Sequence, residues 1–280
     1  MNDEIILTIE GNTAVLQVNR PGARNALNWT AQEQFAEAVK EVAGNGRIRA
    51  LIITGAGDKA FVSGGDIKEL HNHPEPTAAA RLNRVMRDTL TQLGALTIPV
   101  LAAVNGDAFG GGCEILTACD LRLAAGHARF SFAQVRNGLT TGWGGTGRLV
   151  RLLGQSRALE LLLTSRLLDA EEAYRIGLIH QIAPEGEDVL AAALAWAEEL
   201  ARLPQAALAA TKTLVMAAGE RPLTDLNQLE TDLFIGLWPH PDHLEAMRAF
   251  VEKRPPQFNG ESTTDTSASS VQVRKGTDGS

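Results

Sequence analysis

Residues 98–114 read IPVLAAVNGDAFGGGCE, an apolar run followed by a glycine triplet and a glutamate. The run at 98–104 is short and continuously apolar, which is typical of a strand covered on both faces. A second stretch has the same order, because the apolar run at 50–54 leads to FVSGGD at 61–66. Glycine after a strand permits positive φ and lets a ligand approach the main chain closely. We therefore predict two strands, each leading to a glycine-rich loop that opens a helix.

The flanking residues place these two stretches in an α/β core. Residues 5–9 and 14–19 alternate around a Gly11-Asn12 turn, which predicts a hairpin. The sequence TAQE at 30–33 is a capping-box pattern and predicts a helix start. Residues 178–183 (LIHQIA) predict a late strand between helices.

The last third of the chain has helical periodicity, which prolines at 204, 222, 239 and 241 divide into separate helices. Residues 259–280 are rich in Ser, Thr, Gly and charge and have little to bury. We predict an α/β core over residues 1–203, a helical subdomain over 204–258 and a disordered tail over 259–280.

Composition excludes several classes of protein. The 280 residues carry 26 Lys+Arg against 33 Asp+Glu, a formal charge of −7, and 44% of them are hydrophobic. This acidic balance disfavours a nucleic-acid or anionic-membrane surface, and no apolar run approaches the ~20 residues of a membrane span. The beginning does not resemble a signal peptide. Cys113 and Cys119 lie in an apolar stretch and are predicted to be buried free thiols, so the expected location is the cytoplasm.

The glycine loops match neither a nucleotide-binding fingerprint nor a nucleophile elbow. The N-terminus of a helix has unpaired N–H groups and a positive dipole end, which together attract an oxyanion. If the two loops converge, their amides can hold one developing negative oxygen. Histidine pairs at 71/73 and 240/243 have no third ligand nearby in the sequence, so we predict no metal site.

The combined motifs resemble the enoyl-CoA hydratase/isomerase family of the crotonase superfamily. The resemblance runs in family order from about residue 4 to residue 258 and rests on these segments: NRPGARNAL at 19–27, AFVSGGDIKEL at 60–70, IPVLAAVNG at 98–106, GGGCE at 110–114, ACDLR at 118–122, WGGT at 143–146, AYRIGL at 173–178 and FVEKR at 250–254. It implies an α/β fold of the ClpP/crotonase type, a spiral of ββα units with a C-terminal helical subdomain.

The resemblance also implies a binding site for an acyl-CoA thioester, with no cofactor besides the CoA of the substrate. The amides of Gly65 and Gly111 are expected to stabilise an enolate oxygen. Further CoA contacts are implied for Arg24, Ala26, Ser63, Gly64, Asp66, Ile67 and Lys68. Arg24 and Lys68 are candidate phosphate partners, although each is equally compatible with a solvated surface charge. Homotrimers or dimers of trimers are implied, in which Phe250 and Lys253 approach the CoA of a neighbouring subunit.

Glu114 and Gln134 define the expected chemistry. Glu114 follows Gly111 by about one helical turn and corresponds to one of the two catalytic glutamates of a hydratase; the alternative is a glutamate that complements the helix dipole. Gln134 stands where hydratases carry the second glutamate. An amide orients water or substrate but cannot exchange a proton at working pH, which puts hydration by two carboxylates in doubt.

Trp143 is a second departure from the family pattern. Its indole is expected either to restrict the acyl end of the pocket or shield an enolate, or to be a core residue with a satisfied N–H. Three functions remain open: a lyase or isomerase that uses Glu114, a decarboxylase of malonyl-type thioesters such as methyl- or ethylmalonyl-CoA, and a silent acyl-CoA binder. Decarboxylation is a rival because loss of CO₂ generates the enolate without a base.

Overall fold

The computed structural model describes residues 3–258. The predicted disordered tail at 259–280 lies outside the described residues. The larger of two sheets has six strands in the order β1-β2-β3-β5-β7-β10. Its strands are β1 Ile5–Glu10, β2 Thr13–Val18, β3 Ala50–Gly55, β5 Val100–Val104, β7 Leu121–Ala124 and β10 Gln181–Ile182. The predicted hairpin is confirmed, since β1 and β2 pair antiparallel, whereas the other neighbours pair in parallel.

The smaller sheet has four strands in the order β4-β6-β8-β9. Its strands are β4 Ala60–Val62, β6 Asp107–Phe109, β8 Arg129–Ser131 and β9 Leu168–Asp169. Three times in succession the chain places a strand in the large sheet and the next strand in the small one, as β3–β4, β5–β6 and β7–β8. Helices follow each pair, which is the expected repeat of ββα units.

The helices are α1 Trp29–Gly44, α2 Ile67–Leu70, α3 Pro76–Ala95, α4 Gly111–Leu116, α5 Gly145–Leu153, α6 Gln155–Thr164, α7 Ala170–Arg175, α8 Val189–Ala201, α9 Gln205–Ala218, α10 Leu223–Leu237 and α11 Pro241–Glu252. Pro204 and Pro222 immediately precede α9 and α10, and Pro241 is the first residue of α11. This matches the expected punctuation, since proline is tolerated at a helix start but not inside a helix. Within residues 3–258, none of these helices has the length and hydropathy of a membrane span.

One local prediction is wrong, and the late strand predicted between helices is confirmed but shorter than expected. Helix α1 begins at Trp29 and is capped by Asn28, whose side chain accepts a hydrogen bond from the Ala31 amide, so the TAQE pattern lies inside the first turns. An Asn side chain caps a helix as well as Thr does, and the pattern alone does not choose between adjacent candidates. In the predicted late strand at 178–183, only Gln181–Ile182 pairs with β7.

The large sheet is covered on both faces, as the continuous apolar runs predicted. All residues of β3 and β5 are buried. Leu51 and Ile53 belong to the core cluster that includes residues of α1 and α3, whereas Ile52 belongs to the cluster that includes Ala193 and Ala197 of α8. Burial on both faces explains why these strands have no polar alternation.

Candidate active site

The two glycine-rich loops lie against each other. They follow β4 and β6, which are neighbouring parallel strands, so both loops leave the same edge of the small sheet. Gly64 has φ +98°, and a Cβ built there would lie 3.1 Å from the Gly111 backbone nitrogen and 3.4 Å from the Phe109 carbonyl oxygen. A side chain at this position would therefore press on the second loop. Glycine is required both for the backbone conformation and for the close approach.

Two backbone amides at this meeting point have no partner. Within residues 3–258, neither the Gly65 nor the Gly111 N–H donates a hydrogen bond. The residues on either side of Gly65 are hydrogen-bonded to Leu27, whose N–H donates to Gly64 O and whose carbonyl accepts from the Asp66 N–H. These two bonds fix the backbone at Gly65. Gly111 is the first residue of α4, where N–H groups lack intrahelical acceptors. The arrangement offers two N–H donors to a negative oxygen.

The glycine triplet is fixed by packing as well as by conformation. A Cβ on Gly112 would lie 1.8 Å from the Val62 carbonyl oxygen, so α4 rests directly on β4. A Cβ on Gly111 would lie 2.2 Å from Cζ3 and 2.4 Å from Cη2 of Trp143. The indole ring therefore packs on the Cα of the residue that offers one of the two free amides.

Glu114 lies in the first turns of α4 and is buried, with 2% of its surface exposed. Oε2 accepts hydrogen bonds from the amides of Trp143 and Gly145, both at 2.8 Å. Oε1 accepts bonds from the Gly142 amide at 3.2 Å and from Nε2 of Gln134 at 3.0 Å. These four donors fill the four in-plane acceptor positions of a carboxylate. Glu114 thus holds the 142–145 turn in place.

Gln134 is oriented by that carboxylate. Because Nε2 donates to Glu114, the amide oxygen points elsewhere, and this buried Oε1 has no hydrogen-bond partner within the described residues. A buried acceptor without a partner is costly in a folded protein and is commonly met by water or ligand. The amide therefore offers an acceptor next to Glu114.

Trp143 is 4% exposed and belongs to the main core cluster. Its backbone carbonyl accepts a hydrogen bond from Nη2 of Arg148 at 2.6 Å, and Nε of Arg148 also reaches Thr117 Oγ1 at 3.4 Å. Burial lowers the pKa of the Arg148 guanidinium, while nearby Glu114 acts in the opposite direction. One turn thus joins Glu114, Trp143 and the start of α5.

The sequence interpretation missed two of the four residues that bind Glu114. Gly142 and Gly145 were not singled out, yet their amides bind the carboxylate, and a Cβ on Gly145 would lie 2.5 Å from Glu114 Cγ. Arg148 was missed as well. The available signal was the Gly144-Gly145 pair at the start of α5, which resembles the glycine loops that open α2 and α4.

The CoA-contact candidates lie around the same loops and make contacts of their own. Asp66 caps α2 by accepting from the Lys68 amide at 3.1 Å, and it pairs with Arg20 Nη1 at 2.9 Å. That guanidinium also donates to the Ala26 carbonyl. Ser63 is half-buried, whereas Lys68 and Ile67 are exposed, Ile67 to 63%.

Three further candidates lie on the surface. The half-exposed Arg24 donates to Asp107 Oδ2 at 2.5 Å, and Arg129 donates to both oxygens of the same carboxylate. Phe250, on α11, is 85% exposed, and Lys253 follows the last turn of that helix with φ +54°. Among residues 3–258, no contact of the structure joins these two residues to the loops.

Both predicted free thiols are present and buried. Burial raises the pKa of Cys113 and of Cys119 to about 12. Cys113 Sγ donates to the Ala108 carbonyl at 2.9 Å. A neutral, buried thiol is a poor nucleophile, so the cysteine adjacent to Glu114 has a packing role.

Comparison with known proteins identifies the family. The chain is 39% identical over 259 residues to a crotonyl-CoA hydratase from Syntrophomonas wolfei, covering 91% of this chain and 98% of the relative. It is 37% identical over 255 residues to a short-chain-enoyl-CoA hydratase from Clostridium acetobutylicum, covering 90% and 96%. The structure of an enoyl-CoA hydratase from Bacillus anthracis superimposes with a TM-score of 0.87 at 32% identity, over 92% of this chain and 100% of that one.

The fold expected from the resemblance is confirmed by this superposition. The family model for enoyl-CoA hydratase/isomerase matches residues 8–261, which is nearly the whole α/β core and helical end. The chain is therefore an enzyme of the enoyl-CoA hydratase/isomerase family, with the crotonase-type fold.

Proposed function

We propose that the chain binds an acyl-CoA thioester and stabilises the thioester enolate between the amides of Gly65 and Gly111. The observation that carries this proposal is the pair of unpartnered N–H groups where the two glycine loops meet. Negative charge on the thioester oxygen grows in the transition state, so donors placed there favour it over the ground state. Loss of one such donor typically costs about 3–4 kcal/mol of transition-state stabilisation.

Glu114 is the ionisable group next to these amides, and we assign it the movement of water or a proton. All four of its acceptor positions are filled, so Oε1 has to release one bond before it can accept a proton from water. The Gly142 amide makes the longest of the four bonds, at 3.2 Å. Water inserted between Gly142 N–H and Oε1 would keep both groups hydrogen-bonded. Gln134 Oε1 is a nearby acceptor that can orient this water.

A direct test follows the enolate. The chain is incubated with saturated butyryl-CoA in D₂O, and deuterium at the α-carbon is measured by mass spectrometry, alongside hydration of crotonyl-CoA. We expect exchange that requires Glu114. Tight binding of the thioester without exchange, hydration or CO₂ release would contradict the proposal and favour the silent binder.

Decarboxylation of a malonyl-type thioester is the second candidate, favoured by the amide at Gln134 and the filled carboxylate of Glu114. The bond between the α-carbon and the carboxylate breaks, CO₂ leaves, and the electron pair passes into the thioester enolate held by the two amides. A proton from water then restores the α-carbon. This route needs no base, whereas hydration by two carboxylates does. Parallel assays with crotonyl-CoA and with methyl- and ethylmalonyl-CoA decide between the two reactions.

We propose that neither reaction uses a cofactor besides the CoA moiety, because N–H donors and one carboxylate supply the chemistry described above. Dialysis against a chelator is expected to leave turnover unchanged, and restoration of lost activity by an added divalent metal would contradict this. The location in the cytoplasm remains a prediction from composition and free thiols.

We propose that the C-terminal helices assemble the chain into a trimer or a dimer of trimers. On α10, at the residue that caps its C-terminus and on α11, the large apolar side chains that are more than 40% exposed are Leu223, Phe234, Ile235, Trp238, Leu244, Met247, Phe250 and Val251. Soluble monomers rarely expose contiguous apolar patches of this kind. In such an assembly Phe250 and Lys253 would approach the CoA of a neighbour. Light scattering that gives a monomer mass at micromolar concentration would contradict the assembly.

A further inference from the structure

Trp143 contacts both groups that the proposed chemistry uses, one with its ring and the other with its backbone. Its ring packs on Gly111 Cα, as the 2.2 Å approach to a built Cβ requires, while its backbone amide binds Glu114 Oε2 at 2.8 Å. An acyl group whose carbonyl oxygen binds the Gly111 amide and whose α- and β-carbons reach Glu114 must pass along this residue.

The indole N–H of Trp143 makes no hydrogen bond within residues 3–258, although only 4% of the residue is exposed. Its Nε1 is not fully buried, so the N–H keeps contact with solvent. Buried tryptophan usually places this N–H on a protein acceptor. The polar edge of the ring is therefore the part of the side chain that water or a ligand can meet.

We propose that Trp143 is a specificity-determining residue that closes the acyl end of the site and selects short acyl groups of the butyryl and crotonyl class. This inference rests on the proposed function, because it assumes that the Gly65 and Gly111 amides hold the thioester oxygen. Longer chains would have to displace a ring that packs on Gly111 and that belongs to a residue whose backbone amide is bound by Glu114. Discrimination of one methylene in a well-packed pocket is about 10- to 200-fold in kcat/KM.

The test compares kcat/KM for crotonyl-CoA and trans-2-octenoyl-CoA in wild type, Trp143→Ala and Trp143→Phe. Wild type is expected to prefer the short substrate by about 100-fold or more. Trp143→Ala keeps the backbone amide that binds Glu114 but removes the ring, so the preference is expected to fall by about 10-fold or more. Trp143→Phe keeps an aromatic ring on Gly111 and is expected to lie between them. An unchanged preference in both variants overturns the inference, as does a wild type that uses both substrates equally.

A binding arm separates this inference from the proposed function. Dissociation constants for the saturated butyryl-CoA and octanoyl-CoA are measured by calorimetry in the same three proteins. If wild type turns over no thioester but Trp143→Ala gains about 10-fold in octanoyl-CoA affinity, the proposed function fails and the selectivity assignment stands. If turnover is present and the affinity ratio does not change, the assignment fails alone.

Trp196→Ala is the matched control for loss of an indole. Trp196 packs against the opposite face of the large sheet, in the cluster that contains α8, and its ring contacts His180 at 6.3 Å between centroids. Its removal is expected to lower thermal stability without altering the chain-length preference. A preference that relaxes equally in Trp196→Ala would mean that Trp143 acts through general loosening, which overturns the assignment.

Discussion

Replacing Glu114 by Gln is expected to destabilise the fold as well as the reaction, because the carboxylate accepts four hydrogen bonds and donates none. In the most favourable arrangement, the new amide oxygen keeps the 2.8 Å bonds from Trp143 and Gly145. The new NH₂ group then faces Gln134, which can rotate to accept, and the Gly142 N–H, which cannot. The partly buried Gly142 N–H then loses its protein acceptor.

The cost of this change follows from the bonds. An N–H that loses its acceptor costs about 1–3 kcal/mol of stability. The two bonds from Trp143 and Gly145 would go to an uncharged amide oxygen, which weakens them by about 1 kcal/mol together. Glu114→Gln removes a buried negative charge, which favours the variant. This gain is offset because the partly buried Arg148 guanidinium loses the nearby carboxylate that favours its charged form. A net loss of about 3 kcal/mol lowers Tm by about 6–12 °C for a domain of this size.

Thermal unfolding by circular dichroism measures this effect, with Glu33→Gln as the control. Glu33 is exposed and pairs with Arg81 on the surface, where an ion pair contributes about 0–1 kcal/mol, so little change is expected. A Glu114→Gln protein that melts with wild type would refute the view that this carboxylate anchors the 142–145 turn. Turnover measured well below Tm then isolates the chemical role of Glu114. For Glu114→Gln we expect a loss of about 10²- to 10⁴-fold in rate.

Three other predictions concern Gly111, the two cysteines and His180. Gly111→Ala is expected to abolish most turnover, because the new methyl group collides with the Trp143 ring. Adding Trp143→Ala to the same chain is expected to recover part of that turnover. A double variant that turns over no faster than Gly111→Ala would contradict the contact. Cys113 and Cys119, whose pKa values burial raises to about 12, are expected to resist iodoacetamide at pH 8 until the chain is unfolded, and mass spectrometry that finds rapid labelling of the native protein would contradict their burial. Burial lowers the pKa of His180 to about 4. Between about pH 6.5 and pH 4 this histidine is therefore protonated in the unfolded chain but neutral in the folded chain. The free energy of unfolding is expected to fall as the pH falls through that window. The urea midpoint of His180→Gln is expected to depend less on pH across this window, and parallel curves for the two proteins would show that another group titrates.

Much of the fold could be predicted from the sequence because its signals are local. Continuous apolar runs identified β3 and β5 as strands covered on both faces, and prolines marked the starts of α9, α10 and α11. Glycines after β4 and β6 marked the loops that meet at the site. The start of α1 was predicted at the TAQE pattern, whereas the helix is capped by Asn28, whose Nδ2 also donates to Glu4 Oε1.

Inspection of the sequence was enough to recognise the family resemblance, the strand–glycine–helix segments and the position of Glu114 beside them. Tertiary structure alone decided that this carboxylate is bound by the amides of Gly142, Trp143 and Gly145, which are 28 to 31 residues away in the chain. It also decided that the Trp143 ring packs on Gly111. Hydrogen bonds and packing contacts depend on the distances and angles between loops that are far apart in the sequence. The periodicity of a segment reports only which of its own residues share a face, so it does not predict these contacts.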